Sequence, residues 1–322
     1  MRSGLLSIAV LSVVSMTASA QPPAAEPTCD RTCLESYLDR YLEAMRTADV
    51  RPGWFARDVK FTENGIRLPL GSEGLWFGMT GIGGYKFYVP DVETQQIAFI
   101  GTVIENMQYG DADDVEGYLV AVAIRLKIAD ERVTEVEQLA IRPAVQLFGG
   151  DAAGGPFGNT GDNVEAMGEP HEIYREIIPD AERASREELI EAANHYFTGL
   201  ARNDSQGYYP FTDDCIRYEN GILVTRNFTC RQQFEDGSLN GVVSRIRDRR
   251  FVAVDRERGI VFAFGFFDHH RINWTWQIAE LFKIENGQIR RIEAVFHQAP
   301  FGTSSGWSTY EQAMSEAIQS VR

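Results

Sequence analysis

Arg57-Asp58-Val59-Lys60-Phe61-Thr62-Glu63-Asn64-Gly65 returns as Asp213-Asp214-Cys215-Ile216-Arg217-Tyr218-Glu219-Asn220-Gly221. Asp58 aligns with Asp214 and Glu63 with Glu219, each 156 positions on. At the same spacing Leu126-Lys127-Ile128 aligns with Phe282-Lys283-Ile284, and Glu137 with Glu293. A period this long means a duplicated domain, since solenoid repeats run to only about 20–50 residues. A 322-residue chain suits two domains of ordinary size.

Each copy reads as a helix followed by strands. Leu34, Leu38, Tyr41, Leu42 and Met45 recur at helical spacing, as do Leu189, Ala193, Tyr196, Phe197 and Leu200. Thr32-x-x-Glu35 and Ser185-x-x-Glu188 read as capping boxes at the helix starts. Strands are expected over Val59–Leu70, Tyr85–Val89, Ile97–Ile104, Tyr118–Ile128 and Val133–Ile141. The second copy gives Ile216–Thr225, Phe251–Val254, Ile260–Phe267, Trp274–Ile284 and Ile289–Gln298. Asn286-Gly287 supplies a hairpin turn, and Asn64-Gly65 and Asn220-Gly221 fit a bulge or tight bend. The pattern predicts an α+β fold: two tandem cone-shaped domains, each a curved antiparallel sheet wrapped on N-terminal helices. Residues 28–145 form the first domain, 146–180 a linker or strap, and 181–322 the second.

Residues 1–20 read as an export signal, with Arg2, an apolar run from Leu5 to Met16, and Ala18-Ser19-Ala20 as the cleavage site. That run is shorter than the about 20 residues of a membrane span. A secreted or periplasmic protein follows. In that setting Cys29–Cys33 and Cys215–Cys230 are the expected disulfides among three pairings, because each stays within one copy. The 31 Lys plus Arg against 46 Asp plus Glu give a net charge of −15, which disfavours nucleic acid and anionic membranes as partners.

The order of elements resembles the nuclear transport factor 2-like fold, which includes SnoaL-like cyclases, ketosteroid isomerase and limonene epoxide hydrolase. Phe61-Thr62-Glu63-Asn64-Gly65, Gly74-Leu75-Trp76, Ser185-Arg186-Glu187-Glu188-Leu189 and the run from Ile289 to His297 resemble an exported fungal and bacterial family of largely unknown function. The resemblance implies the cone-shaped fold and says little of chemistry, because the fold hosts many functions.

Candidate chemistry comes from where the copies differ. Thr62 corresponds to Tyr218, Ile124 to Glu280 and Ile141 to His297. At a spacing of 164 in the middle strands, Ile104 corresponds to Asp268, Glu105 to His269 and Asn106 to His270. The second copy is thus the expected active one. Glu280 or His297 would be the base, His269 or His270 the acid, and Tyr218 a donor to developing oxyanion charge. Asp268, His269, His270 and His297 could also hold a metal, though their spacing follows no metal motif. Trp54, Trp76, Tyr85, Trp274, Trp276 and Trp307 could stack on a ring. The chain lacks G-x-S-x-G, H-E-x-x-H and phosphate-loop motifs. The expectation is a lyase, isomerase or hydrolase needing no organic cofactor, acting on a small oxygenated molecule such as a sugar acid or phenolic. The alternatives are a non-catalytic small-ligand-binding protein of the cell envelope and an assembly role, in which the convex sheet faces pair the two copies within the chain and two chains with each other as a homodimer.

Overall fold

The computed structural model describes residues 29–51, 53–106, 117–143, 158–235 and 241–320. The expected export signal and the glycine-rich run 149–156 lie outside them. The first copy contains α1 (Arg31–Arg46), β1 (Phe55–Glu63), β2 (Ile66–Arg67), α2 (Leu75–Gly78), β3 (Met79–Asp91), β4 (Gln96–Glu105), β5 (Tyr118–Ala129) and β6 (Arg132–Ile141). A strap with α3 (Thr160–Glu165) follows. The second copy contains α4 (Arg186–Arg202), β7 (Phe211–Glu219), β8 (Ile222–Leu223), α5 (Cys230–Glu235), β9 (Arg245–Asp255), β10 (Ile260–His269), β11 (Trp274–Glu285) and β12 (Gln288–Pro300). A C-terminal tail carries α6 (Tyr310–Ala313).

The result is an α+β molecule of two tandem domains, with six-stranded sheets ordered β2-β1-β6-β5-β4-β3 and β8-β7-β12-β11-β10-β9. The sheets are mixed, which corrects the expected all-antiparallel arrangement. Hairpin reversals carry β3 into β6, and β1 then joins the open edge of β6 in the same direction. In the second copy β7 joins β12 in parallel likewise. The registers reproduce the sequence repeat: Thr62 pairs with Glu137 as Tyr218 pairs with Glu293, and Arg125 pairs with Glu137 as Leu281 pairs with Glu293.

Asn-Gly ends both first strands. Asn64 and Gly65 have φ of 50° and 79°, and Asn220 and Gly221 have 51° and 77°. Two positive φ values in succession suit a two-residue hairpin turn, so each expected long strand breaks into a strand and a short return. The Asn64 side chain brackets the backbone N–H and carbonyl of Ala140, and Asn220 brackets those of Phe296. Ser185 and Glu188 form the expected capping box on α4. On α1 the cap is Asp30, which accepts from the Cys33 N–H, so the Thr32 box is corrected: Thr32 already lies inside the helix. Both expected disulfides are present. Among the described residues no helix is long and apolar enough to cross a membrane.

Alternation along the strands gives each sheet two buried faces. One face packs on its own helix: Leu34, Leu38, Tyr41 and Leu42 meet Phe61, Phe99 and Val122, while Tyr196 and Phe197 meet Phe211, Phe251 and Phe282. The other face meets the other sheet. Phe87, Ile100, Ala121 and Leu139 pack with Phe262, Phe264, Leu281 and Val295 as one inter-sheet core. Burying each large apolar side chain is worth about 1.5–3 kcal/mol, so this face joins the domains as firmly as a domain interior.

The strap and the tail play matching parts. Glu165 of the strap accepts from the Gly84 and Tyr85 N–H groups of β3 and is also bonded by the Thr102 hydroxyl. The tail binds β9: Ser305 and Ser308 donate to Asp248, and Arg247 donates to the Thr303 and Ala313 carbonyls. Each segment then reaches the Asn-Gly turn of the other copy. A Cβ at Gly221 would lie 2.4 Å from the Asn163 backbone, and one at Gly65 would lie 2.3 Å from the Ser304 carbonyl oxygen.

Candidate functional site

The helix-facing side of each sheet holds a buried carboxylate, Glu63 at the end of β1 and Glu280 in the middle of β11, and the two are wired differently. In the first copy Glu63 accepts from the Leu75 N–H (2.8 Å), Gln138 Nε2 (2.8 Å) and Arg142 (2.8 Å). Tyr41 donates to Gln138 Oε1, and Trp76 Nε1 donates to Tyr41. Such a satisfied network is structural. In the second copy Glu280 is 1% exposed, and its Oε2 has no hydrogen-bond partner among the described residues. Arg217 lies nearby, donating to Tyr196 (3.2 Å) and Gln233 (2.9 Å) and ion-paired with Glu219 (3.1 Å). Burial outweighs the Arg217 charge and pushes the Glu280 carboxyl up to about 8.

The other expected site residues do not gather round Glu280. His269 shares its face and packs on Trp276 with centroids 4.2 Å apart. Its Nδ1 bonds the Val242 carbonyl, and burial lowers its pKa. His270 lies in the exposed turn after β10, against Phe301. His297 projects from the opposite face, with Nε2 bonded to Gln277 Oε1 at 3.1 Å. Tyr218 is also on the opposite face, because the neighbouring Arg217 takes the helix side. An odd-versus-even position on a strand therefore separates Tyr218 and His297 from Glu280. Asp268 is held by Arg245, Arg247 and Thr275 and turns away from His269. Among the described residues no three His, Cys, Asp or Glu side chains converge as metal ligands.

Tyr218 instead lines a cavity of about 590 Å³ between the strap and β7, β8 and β12. Asn163, Ala166 and Met167 close it from the strap, and Tyr174, Arg291 and Glu293 line its walls. Glu293 is 5% exposed. Tyr85 of the first copy donates to its Oε2 at 2.6 Å, and Tyr174 bonds it as well. Burial pushes this carboxyl up to about 7, while the two phenols draw it down. The phenols are themselves pushed well above the usual tyrosine range, chiefly by burial, and so remain donors at neutral pH.

The contrast with Glu137, the first copy's counterpart, is sharp. Arg250 grips Glu137 with two bonds of 2.7 and 2.8 Å, and Arg125 lies 3.6 Å away. Glu293 has Leu281 where Glu137 has Arg125. One carboxylate is clamped by two guanidinium groups, and the other has a cavity wall and a proton affinity near neutrality. The pair Glu137 and Glu293 is visible in the sequence repeat. Each takes a main partner from the other copy, Arg250 for Glu137 and Tyr85 for Glu293, which the repeat alone does not reveal.

Residues 182–296 are similar to the family described as a domain of unknown function, DUF8021. No curated protein matches the chain. Among solved structures, a de novo designed protein with a curved β-sheet is similar over 35% of this chain and 88% of that one, at 19% identity and a TM-score of 0.27.

Proposed function

We propose that this chain is a secreted or periplasmic acid–base enzyme acting on a small oxygenated molecule without an organic cofactor, and that Glu293 is its base. The reading takes the domains as curved, cone-shaped sheets of the nuclear transport factor 2-like kind. The observation that carries it is the Glu293 carboxyl, buried against an open cavity with phenol donors and poised near pH 7. In its ionised form it would take a proton from a substrate carbon or hydroxyl. The Tyr218 hydroxyl would donate to the oxygen on which charge develops. Tyr85 and Tyr174 would hold the carboxyl oxygens in place. Lyase, isomerase and hydrolase chemistry all share this first proton transfer.

The test is turnover of a pooled library of uronides, lactones and phenolics, followed by mass and retention time. The wild type should convert a component that Glu293→Gln leaves untouched, and Tyr218→Phe should slow it by about 10²–10³-fold, as removal of an oxyanion donor does. Conversion retained in Glu293→Gln but lost in Glu280→Gln would move the chemistry to the helix-facing side and overturn this assignment. Binding without chemistry is the second reading, favoured by the strap residues that close over the cavity. It predicts ligand-induced thermal stabilisation with no product formed.

A further inference from the structure

The first copy already shows what the surface beside this carboxylate position accepts. There the tail lays Trp307 on the sheet, with Lys60 4.0 Å and Arg125 4.6 Å from the ring centroid. The indole Nε1–H donates to Thr62 Oγ1 at 2.8 Å. The matching residues of the second copy, 156 positions on, are Ile216, Leu281 and Tyr218. Ile216 and Tyr218 line the open cavity, and Leu281 is packed in the inter-sheet core. The strap that covers them brings Ala166 and Met167 rather than an indole.

Charge changes in the same place. Glu135, which pairs with Arg125 at 2.6 Å, is matched by Arg291. Arg291 lines the cavity, and its buried Nε has no hydrogen-bond partner among the described residues, while its Nη1 donates to the Asp214 and Arg290 carbonyls. Where the first copy balances Lys60 and Arg125 against Glu135 and Glu137, the second has Ile216 in place of Lys60, Leu281 in place of Arg125 and the Arg291 guanidinium in place of Glu135, in a lining that also carries Glu169, His171 and Arg226. A guanidinium at a cavity wall favours a ligand that supplies an anionic acceptor.

We infer that the cavity beside Tyr218 and Glu293 binds a small aromatic carboxylate, its ring in the space that Trp307 fills in the first copy and its carboxylate on Arg291. This rests on the cavity being the ligand site, and it holds whether or not Glu293 performs chemistry there. The ring would lie against Ile216 under the strap, with a polar edge toward Tyr218.

The experiment is calorimetric titration of the full chain with three probes: indole-3-carboxylate, indole and cyclohexanecarboxylate. Indole-3-carboxylate should bind, with the other two weaker by roughly tenfold or more, since each lacks one recognised element. Arg291→Glu, which installs the first copy's charge, and Ala166→Trp, which fills the space, should each lose the binding while retaining a wild-type melt. If Ala166→Trp does not fold, Arg291→Gln carries the test. Equal binding of cyclohexanecarboxylate, unchanged binding in the variants, or no binding of indole-3-carboxylate overturns the inference. Turnover of some other substrate that depends on Glu293 would, in the last case, leave the acid–base reading standing. Tight binding with no Glu293-dependent conversion of any compound would do the reverse.

Discussion

Glu137 and Glu293 occupy one position in two copies, yet their buried surroundings differ: two guanidinium groups face the first and two phenols the second. Glu137 has a bidentate guanidinium from Arg250, so removing that partner leaves a buried charge with only Arg125, 3.6 Å away, to offset it. Arg250→Ala should therefore cost about 3–5 kcal/mol of unfolding free energy in urea titration; a loss below about 1 kcal/mol, the size of a surface pair, would show that water reaches Glu137. Glu293 is raised, and the sign is worked from proton binding. Its folded pKa of about 7 exceeds the ordinary 4.5, so the folded state holds a proton that the unfolded state releases between these values. Stability from this group is fully present below pH 4.5 and is lost as pH rises through about 7. The melting temperature of the wild type relative to Glu293→Gln should thus fall across that window and level off above it. A flat difference would mean that the carboxyl is not raised. Turnover that uses Glu293 as base should run the other way and rise through about pH 7. The self-comparison of the sequence exposes these two positions. It cannot expose Tyr85 or Arg250 as their partners, because those side chains cross between sheets whose packing no periodicity encodes.

At the scale of elements, local signals proved legible where a single side chain bonds its own neighbourhood. Ser185 caps α4, and Asn286-Gly287 turns β11 into β12, because these contacts span only a few residues. The direction of β7 beside β12 was hidden, since parallel pairing joins segments about 75 residues apart. The Glu280 constellation failed for a related reason. Differences between copies show that Tyr218, Glu280 and His297 are unusual, but not which face of a strand each occupies once a turn or bulge shifts the count. The Asn-Gly turns also dock the strap and tail, and this can be tested. Gly221→Ala places a methyl 2.4 Å from the Asn163 backbone at a φ of 77°, so it should lift the strap. We expect faster limited proteolysis within residues 158–178 and a lower melting temperature. Gly65→Ala, facing Ser304, should transfer the cleavage to the tail. Cleavage at the same rate as wild type in both variants would mean that neither turn anchors its segment.

At the scale of the whole molecule, the inter-sheet core ties the copies together. Its apolar face on the second sheet includes Phe262, Phe264, Leu281 and Val295, all buried. Expressed alone, residues 182–300 would present this face to water and should self-associate in sedimentation velocity, pairing through the surface that the first copy normally covers. A well-folded monomer at all concentrations would show that the interface is dispensable. The two-domain plan was plain from the repeat, and pairing of the copies through their sheet faces was among its readings; which residues form that layer was not legible, since strands buried on both faces read as continuous apolar runs.

The plugged and open versions of one position, Trp307 in the first copy and a cavity in the second, have a genetic consequence. In a symmetric pair of identical chains every substitution is made twice, so a residue that improves a pocket on one side must also be tolerated on the other. Fusing the pair into one chain removes that constraint. One half can be sealed for rigidity while its twin keeps a vacancy, and each can change without the other's consent.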